Sequence, residues 1–210
     1  MRKPREAKRS QTDSQRLRNL VRDALYDEGT YLDDGPFDER ERASSGRHAL
    51  EVRRLLAGTD PSEEDARFLH AAIREPGVDA NRAVLLISEC LAVQHLREPF
   101  WSQCLQRLVS DPEPRVRILA IRANAYSYEA AIDDKAPEVR IAALHYGWQW
   151  HAILRKALRD ADAKVRKHAA SQVLALTEWR EECARLSTDP DESVRAEAQK
   201  QLAVGIKAQK

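Results

Sequence analysis

Apolar positions recur along this chain at the three- and four-residue spacing of helices almost from end to end. After Ser14, which can cap a helix, Leu17, Leu20, Val21 and Leu25 fall on one face, and Gly29 can end the segment. Residues 31–42 read as loop, with turn chemistry in Asp33-Asp34-Gly35-Pro36. Ser44 or Ser45 then caps a helix over residues 48–57 that Gly58 stops. Asp60-Pro61-Ser62 opens the next, striped by Phe68, Leu69, Ala72 and Ile73 and broken by Glu75-Pro76-Gly77. Residues 80–95 are apolar on most sides (Val84, Leu85, Leu86, Ile87, Leu91, Ala92). Glu98-Pro99 starts a helix carrying Trp101, Leu105, Leu108 and Val109.

From there the chain repeats itself. Asp111, Val116, Arg117 and Ala120 share their spacing with Asp134, Val139, Arg140 and Ala143, with Asp160, Val165, Arg166 and Ala169, and with Asp189, Val194, Arg195 and Ala198. The pattern D-x4-V-R-x2-A occurs four times, its valines 23, 26 and 29 residues apart. Self-similarity at this period signals a stack of helical units. Asp before a helix caps free N–H groups and meets the positive end of the dipole. Pro112 and Pro190 suit the turn or the first helical residues. Val and the Ala four residues on lie on one face. Val fills the core, and Ala lets a neighbouring helix approach. Each Arg, six residues after its Asp, can reach the Asp of its own or the adjacent repeat. That would give a charge ladder along the stack.

The four copies resemble HEAT-like helical repeats, where an Asp lies in the turn between two antiparallel helices and Val-Arg opens the second. The short steps also look like the leucine-rich repeat variant and PBS-lyase-type branches. The resemblance covers residues 99–204 and extends weakly to 60–95, where Asp60-Pro61 and Arg82 echo the motif. It implies an all-α protein, a right-handed α-solenoid of stacked antiparallel helix pairs, with about eleven or twelve helices. The expected organisation is a charged extension with one short helix and an acidic loop (1–43), degenerate repeats (44–98) and four repeats (99–210). The resemblance also implies that the motif Asp and Arg are structural. The variant branch's iron–sulfur cluster is not carried over, because the chain has no cysteine group ahead of the repeats.

Composition narrows the picture. Of 210 residues 42% are apolar, enough for a core, which excludes wholesale disorder. Only 7 Gly and 9 Pro leave too few turns for a β-sandwich. Charged residues reach 33% with a net charge of +1, which fits salt-bridged helices and weakens any reading as a nucleic-acid sleeve. Charge is uneven at the front: a basic block over residues 1–20 precedes an acidic one over 23–41. No apolar stretch follows the basic start, so no secretory leader is expected, and no run approaches a membrane span. Cys90, Cys104 and Cys183 are an odd number without C-x-x-C, and a cytoplasmic location is the expectation.

The candidate chemistry is sparse. The four motif arginines form either a phosphate track or, paired with Asp, part of the scaffold. Aligned on the valines, Tyr126 and Tyr128 lie over Trp148, Trp150 and His151, on connections between repeats, with Trp179 in the later connection. They make either a binding ridge, with Arg122 and His145 as further partner-binding candidates, or plugs for gaps left by short helices. No histidine pair has metal-ligand spacing, and there is no P-loop, G-x-G-x-x-G or G-x-S-x-G. No catalytic residue, metal or cofactor is therefore expected. The leading reading is a non-catalytic scaffold, adaptor or partner-neutralising protein that binds another protein. A second is a DNA binder or alkylated-base glycosylase-like enzyme, using Trp148, Trp150 and Asp133 or Asp134. A third is a chromophore lyase or chaperone.

Overall fold

A computed structural model describes residues 11–26, 39–58, 61–92, 98–147, 151–173 and 179–207. These form helices and no strand: α1 (Gln11–Tyr26), α2 (Glu39–Gly58), α3 (Glu63–Arg74), α4 (Ala80–Leu91), α5 (Glu98–Val109), α6 (Pro114–Arg122), α7 (Tyr128–Ala131), α8 (Pro137–Gly147), α9 (His151–Ala157), α10 (Ala163–Gln172), α11 (Arg180–Leu186) and α12 (Glu192–Lys207). The chain divides into two compact units, Met1–Ala125 and Tyr126–Lys210.

Residue 43 lies inside α2, which begins at Glu39, so the expected loop is helical over residues 39–42 and Ser44 and Ser45 lie within the helix. Glu39-Arg40-Glu41-Arg42-Ala43 is a run of good helix formers, and that propensity outweighs the acidity that suggested a loop. Residues 31–38 lie outside the described residues. The division at residue 125 falls inside the repeat run and coincides with a tight helix stop. Asn124 has φ 57°. Around it the Ala125 N–H donates to the Ala120 carbonyl at 2.8 Å and the Asn124 N–H to Ile121 at 3.0 Å. This is a Schellman end with Asn where Gly is commonest.

In the first unit α2, α4 and α6 touch in succession, α1 packs on α2, α3 and α4, and α5 packs on α3 and α6. α3 opens just after Ser62, as expected, and Ser62 and Asp65 close a reciprocal capping box on it. In the second unit α8, α10 and α12 touch in succession, with α7 against α8, α9 against α8 and α10, and α11 against α12. The four motif valines and the four alanines after them are completely buried.

The motif aspartates do not cap their helices directly. Each accepts, through Oδ1, the N–H two residues on: Glu113 at 2.7 Å, Ala136 at 2.8 Å, Asp162 at 2.8 Å and Asp191 at 2.9 Å. They fix a turn, and the helix starts three residues after each Asp. In the last two repeats a second Asp makes the cap: Asp162 accepts from Lys164 and Val165, Asp191 from Ser193 and Val194.

The arginines tie these turns together. Nη1 of Arg117, Arg140, Arg166 and Arg195 donates to the carbonyl of the Asp six residues back, at 2.7–2.9 Å in the last three. In the second unit the rest of the guanidinium forks onto the next repeat's Asp. Arg140 donates from Nε and Nη2 to Asp160 at 2.8 and 2.7 Å, and Arg166 donates to Asp189 at 2.8 and 2.8 Å. In the first unit α3 supplies the equivalent: Asp111, fully buried, meets His70 Nε2 at 2.7 Å and Arg74 Nε at 3.2 Å.

The Arg166 guanidinium holds the Asp189 carboxyl below the usual carboxylate range, helped by the Asp191 N–H and opposed by burial. Burial pushes Asp160 up, but hydrogen bonds from Arg140 and the Asp162 N–H leave it net lowered. Depressed carboxyls stabilise the fold fully above their unfolded value near pH ~4 and lose that contribution as pH falls through the folded value. Thermal melts between pH 7 and 2 should therefore show an acid limb below about pH 4 that flattens in Asp160→Asn and Asp189→Asn.

Candidate partner-binding surface

The repeat register separates what packs from what faces outward. On α8, α10 and α12 the motif Val and the Ala four positions on point into the core. The positions one before, two after and six after each Val differ from copy to copy: Glu138, Ile141 and His145; Lys164, Lys167 and Ser171; Ser193, Ala196 and Lys200. None of these nine is buried. His168 on α10 and Glu197 on α12 sit one position past the second of them.

This face carries a groove of about 380 Å³ lined by Ile141, Lys164, Lys167, His168, Ser171, Ser193 and Glu197. Its charge is not absorbed by the scaffold. Elsewhere in the unit Arg140, Lys156, Arg159, Arg166, Arg185 and Lys200 each reach a carboxylate. Lys164 and Lys167 make no ion pair among the described residues. Asp160 stands four residues before Lys164, but it precedes the helix and is held by Arg140. Glu197 already accepts from Gln201 at 2.8 Å and Lys200 at 3.4 Å. The groove therefore presents two lysine ammonium groups beside a partly exposed isoleucine and two serines.

His168 is half-buried, with an Nε2 that is shielded from solvent and finds no hydrogen-bond partner. Its ring lies 6.2 Å from that of His145. Burial first, then the proximity of His145, lowers its pKa, so it stays neutral at neutral pH. His145 is exposed and stacks edge-on with Tyr146 at 4.9 Å.

The expected aromatic ridge is placed only in part. Tyr128 and His151 open α7 and α9, and Trp179 caps α11, so the three occupy equivalent places in successive repeats. Trp179, however, is 3% exposed. His151 meets its ring edge at 5.5 Å, and Arg155 lies over its face at 5.6 Å. It plugs the space beside a seven-residue helix and offers nothing to a partner. Tyr126 and Tyr128 are half-buried, with interactions of their own. Trp148 and Trp150 lie outside the described residues. Arg122, in the first unit, donates to Asn81 Oδ1 at 2.6 Å.

The carboxylates nominated for base chemistry are occupied: Asp133 pairs with Lys156 at 2.5 Å, and Asp134 orders its own turn. Burial, with smaller effects from Cys104 and Glu89, pushes the Cys90 thiol up, and burial raises Cys104 to about 12, which disfavours the thiolate at both. Among the described residues no helix is long and apolar enough to cross a membrane. No protein-family model, curated protein or solved structure matches the chain.

Sequence reading missed Lys164 and Lys167. The signal was there in the register, as two cations on an outward stripe with no acid placed on the helix to pair them. The histidine pair offers a direct check on the geometry. Replacing His145 by Ala should raise the His168 pKa without restoring it fully, since burial remains. Two-dimensional NMR titration of the imidazole resonances measures both values.

Proposed function

We propose that this protein is a non-catalytic scaffold that binds another protein through the outward face of α8, α10 and α12. In this reading the two helix rows of the second unit are short HEAT-like repeats, antiparallel pairs stacked as a right-handed α-solenoid. Such stacks present long surfaces made of the positions their packing leaves free. The observation that carries the reading is the division of labour in the register. Every motif residue is engaged in packing or in the turn ladder, whereas the outward positions vary and leave Lys164 and Lys167 unpaired. The groove favours an acidic partner segment with an apolar side chain to set against Ile141.

A phosphate track along the motif arginines finds no support. The motif arginines are bound to carbonyls in all four copies, and Arg140 and Arg166 to carboxylates as well, which argues against a phosphate track. Two lysines fall well short of the roughly 6–10 phosphate contacts behind strong salt-dependent DNA binding.

The test is affinity purification of the tagged chain with and without nuclease, beside a Lys164→Glu/Lys167→Glu variant. The expected result is a stoichiometric protein that survives nuclease and is lost from the variant. The variant's own stability should stay within about 0.5 kcal/mol per site. Nuclease-sensitive capture, or capture indifferent to the two charges, contradicts the proposal.

A further inference from the structure

Among the described residues, Arg195 is a motif arginine with one side that meets no acceptor. Arg195 is held like its predecessors: Nη1 donates to the Asp189 carbonyl at 2.7 Å and to the Pro190 carbonyl at 2.9 Å. In Arg140 and Arg166 the same two-carbonyl grip aims Nε and Nη2 at the next repeat's carboxylate. In Arg195 those two donors meet no acceptor among the described residues. The side chain is half-buried, so the fork is both fixed and reachable.

A second feature of α12 points the same way. Five residues after each motif Val stand Ile121, Leu144, Ala170 and Gln199. The first three are completely buried. Gln199 is polar and exposed. It lies four residues after Arg195, on the same helix face. The flank that seats a following helix in the earlier copies is thus polar in the last. It offers a guanidinium fork beside an amide.

We propose that Arg195, with Gln199 beside it, is a docking site for a carboxylate side chain of a partner protein, bound in the geometry by which Arg166 holds Asp189. This rests on the protein-binding reading but concerns a different surface from the groove. A planar fork pre-set by two carbonyls suits bidentate recognition of a carboxylate. The acids around it, Asp189, Asp191 and Glu192, disfavour a dianion such as phosphate more than a single carboxylate. Asp160 and Asp162 stand in the same relation to Arg166, six and four residues before it, and Arg166 nevertheless binds Asp189. Another copy of this chain cannot fill the site through the repeat bond. Asp111, Asp160 and Asp189 are all engaged, and Asp134 has partners of its own.

The probes are N-acetyl-aspartate amide, N-acetyl-asparagine amide and inorganic phosphate. Each is titrated into the ¹⁵N-labelled full chain while the arginine Nε–H and Gln199 side-chain resonances are followed by NMR at low temperature and pH 6. The expected result is a saturating shift of Arg195 Nε–H and Gln199 with the aspartate probe alone. Arg140 and Arg166 should stay still, and the exposed Arg180 should drift without saturating. In a folded Arg195→Lys variant, which keeps the charge and loses the fork, the Gln199 shift should disappear. If Arg195 moves no more than Arg180, if the asparagine probe works equally well, or if Gln199 still responds in the lysine variant, the proposal falls. A stronger response to phosphate overturns the carboxylate assignment. None of these outcomes bears on whether the Lys164–Lys167 groove binds a protein, which the capture experiment decides separately.

Discussion

One guanidinium holding two turns is the constraint on which the second unit depends. Arg140 and Arg166 each grip the carbonyls of the turn that begins their own helix and fork onto the carboxylate of the next turn. The bond fixes the spacing of consecutive helices in one row and the orientation of the Asp that shapes the next turn. These pairs are largely shielded, with 5–14% of each side chain exposed, so solvent competes weakly. Val and Ala at the neighbouring positions supply the apolar contact that brings the helices close enough for the fork to close.

Because the ladder consumes the charges of Arg140, Arg166 and the motif aspartates, the groove is left to other residues. The repeats differ least where they touch each other and most where they face outward. That is why the candidate surface lies at positions the motif does not name. The first unit reaches a similar end by other means. There a histidine and an arginine from α3 close on Asp111, and Arg115 reaches the α3 C-terminal carbonyls of Ile73, Arg74 and Glu75 at 3.2–3.3 Å. Such degenerate packing explains why the repeat signal fades before residue 99.

Much of the helical pattern was legible in the sequence. Asp and Arg spacing foretold the ladder, and the motif Val and Ala positions foretold the core. The Asp role was misread by one step. A carboxylate three residues ahead of a helix orders the turn by accepting the N–H two residues on, and the cap falls to Asp162 or Asp191. The start of α2 was hidden by an acidic block whose helix propensity matters more than its charge. For Trp179 the sequence left two readings open, ridge or plug, because it lies on a connection between repeats, and its burial decides for the plug. A short helix beside it leaves a gap that only a large ring fills. The groove was not legible from residue types, because two lysines on a helix are ordinarily paired or solvated, and only the register shows them sharing a face with Ile141 and His168.

The most direct test of the ladder is a double-mutant cycle on Arg166→Gln and Asp189→Asn, read by chemical denaturation. Asn keeps an oxygen that accepts the Asp191 N–H, so the turn survives and the cycle isolates the fork. The account predicts that the two changes share a coupling of roughly 1.5–3 kcal/mol, the range for hydrogen bonds to charged groups. Additive effects, with a coupling near zero, would contradict the claim that this bond sets the stacking of the repeats.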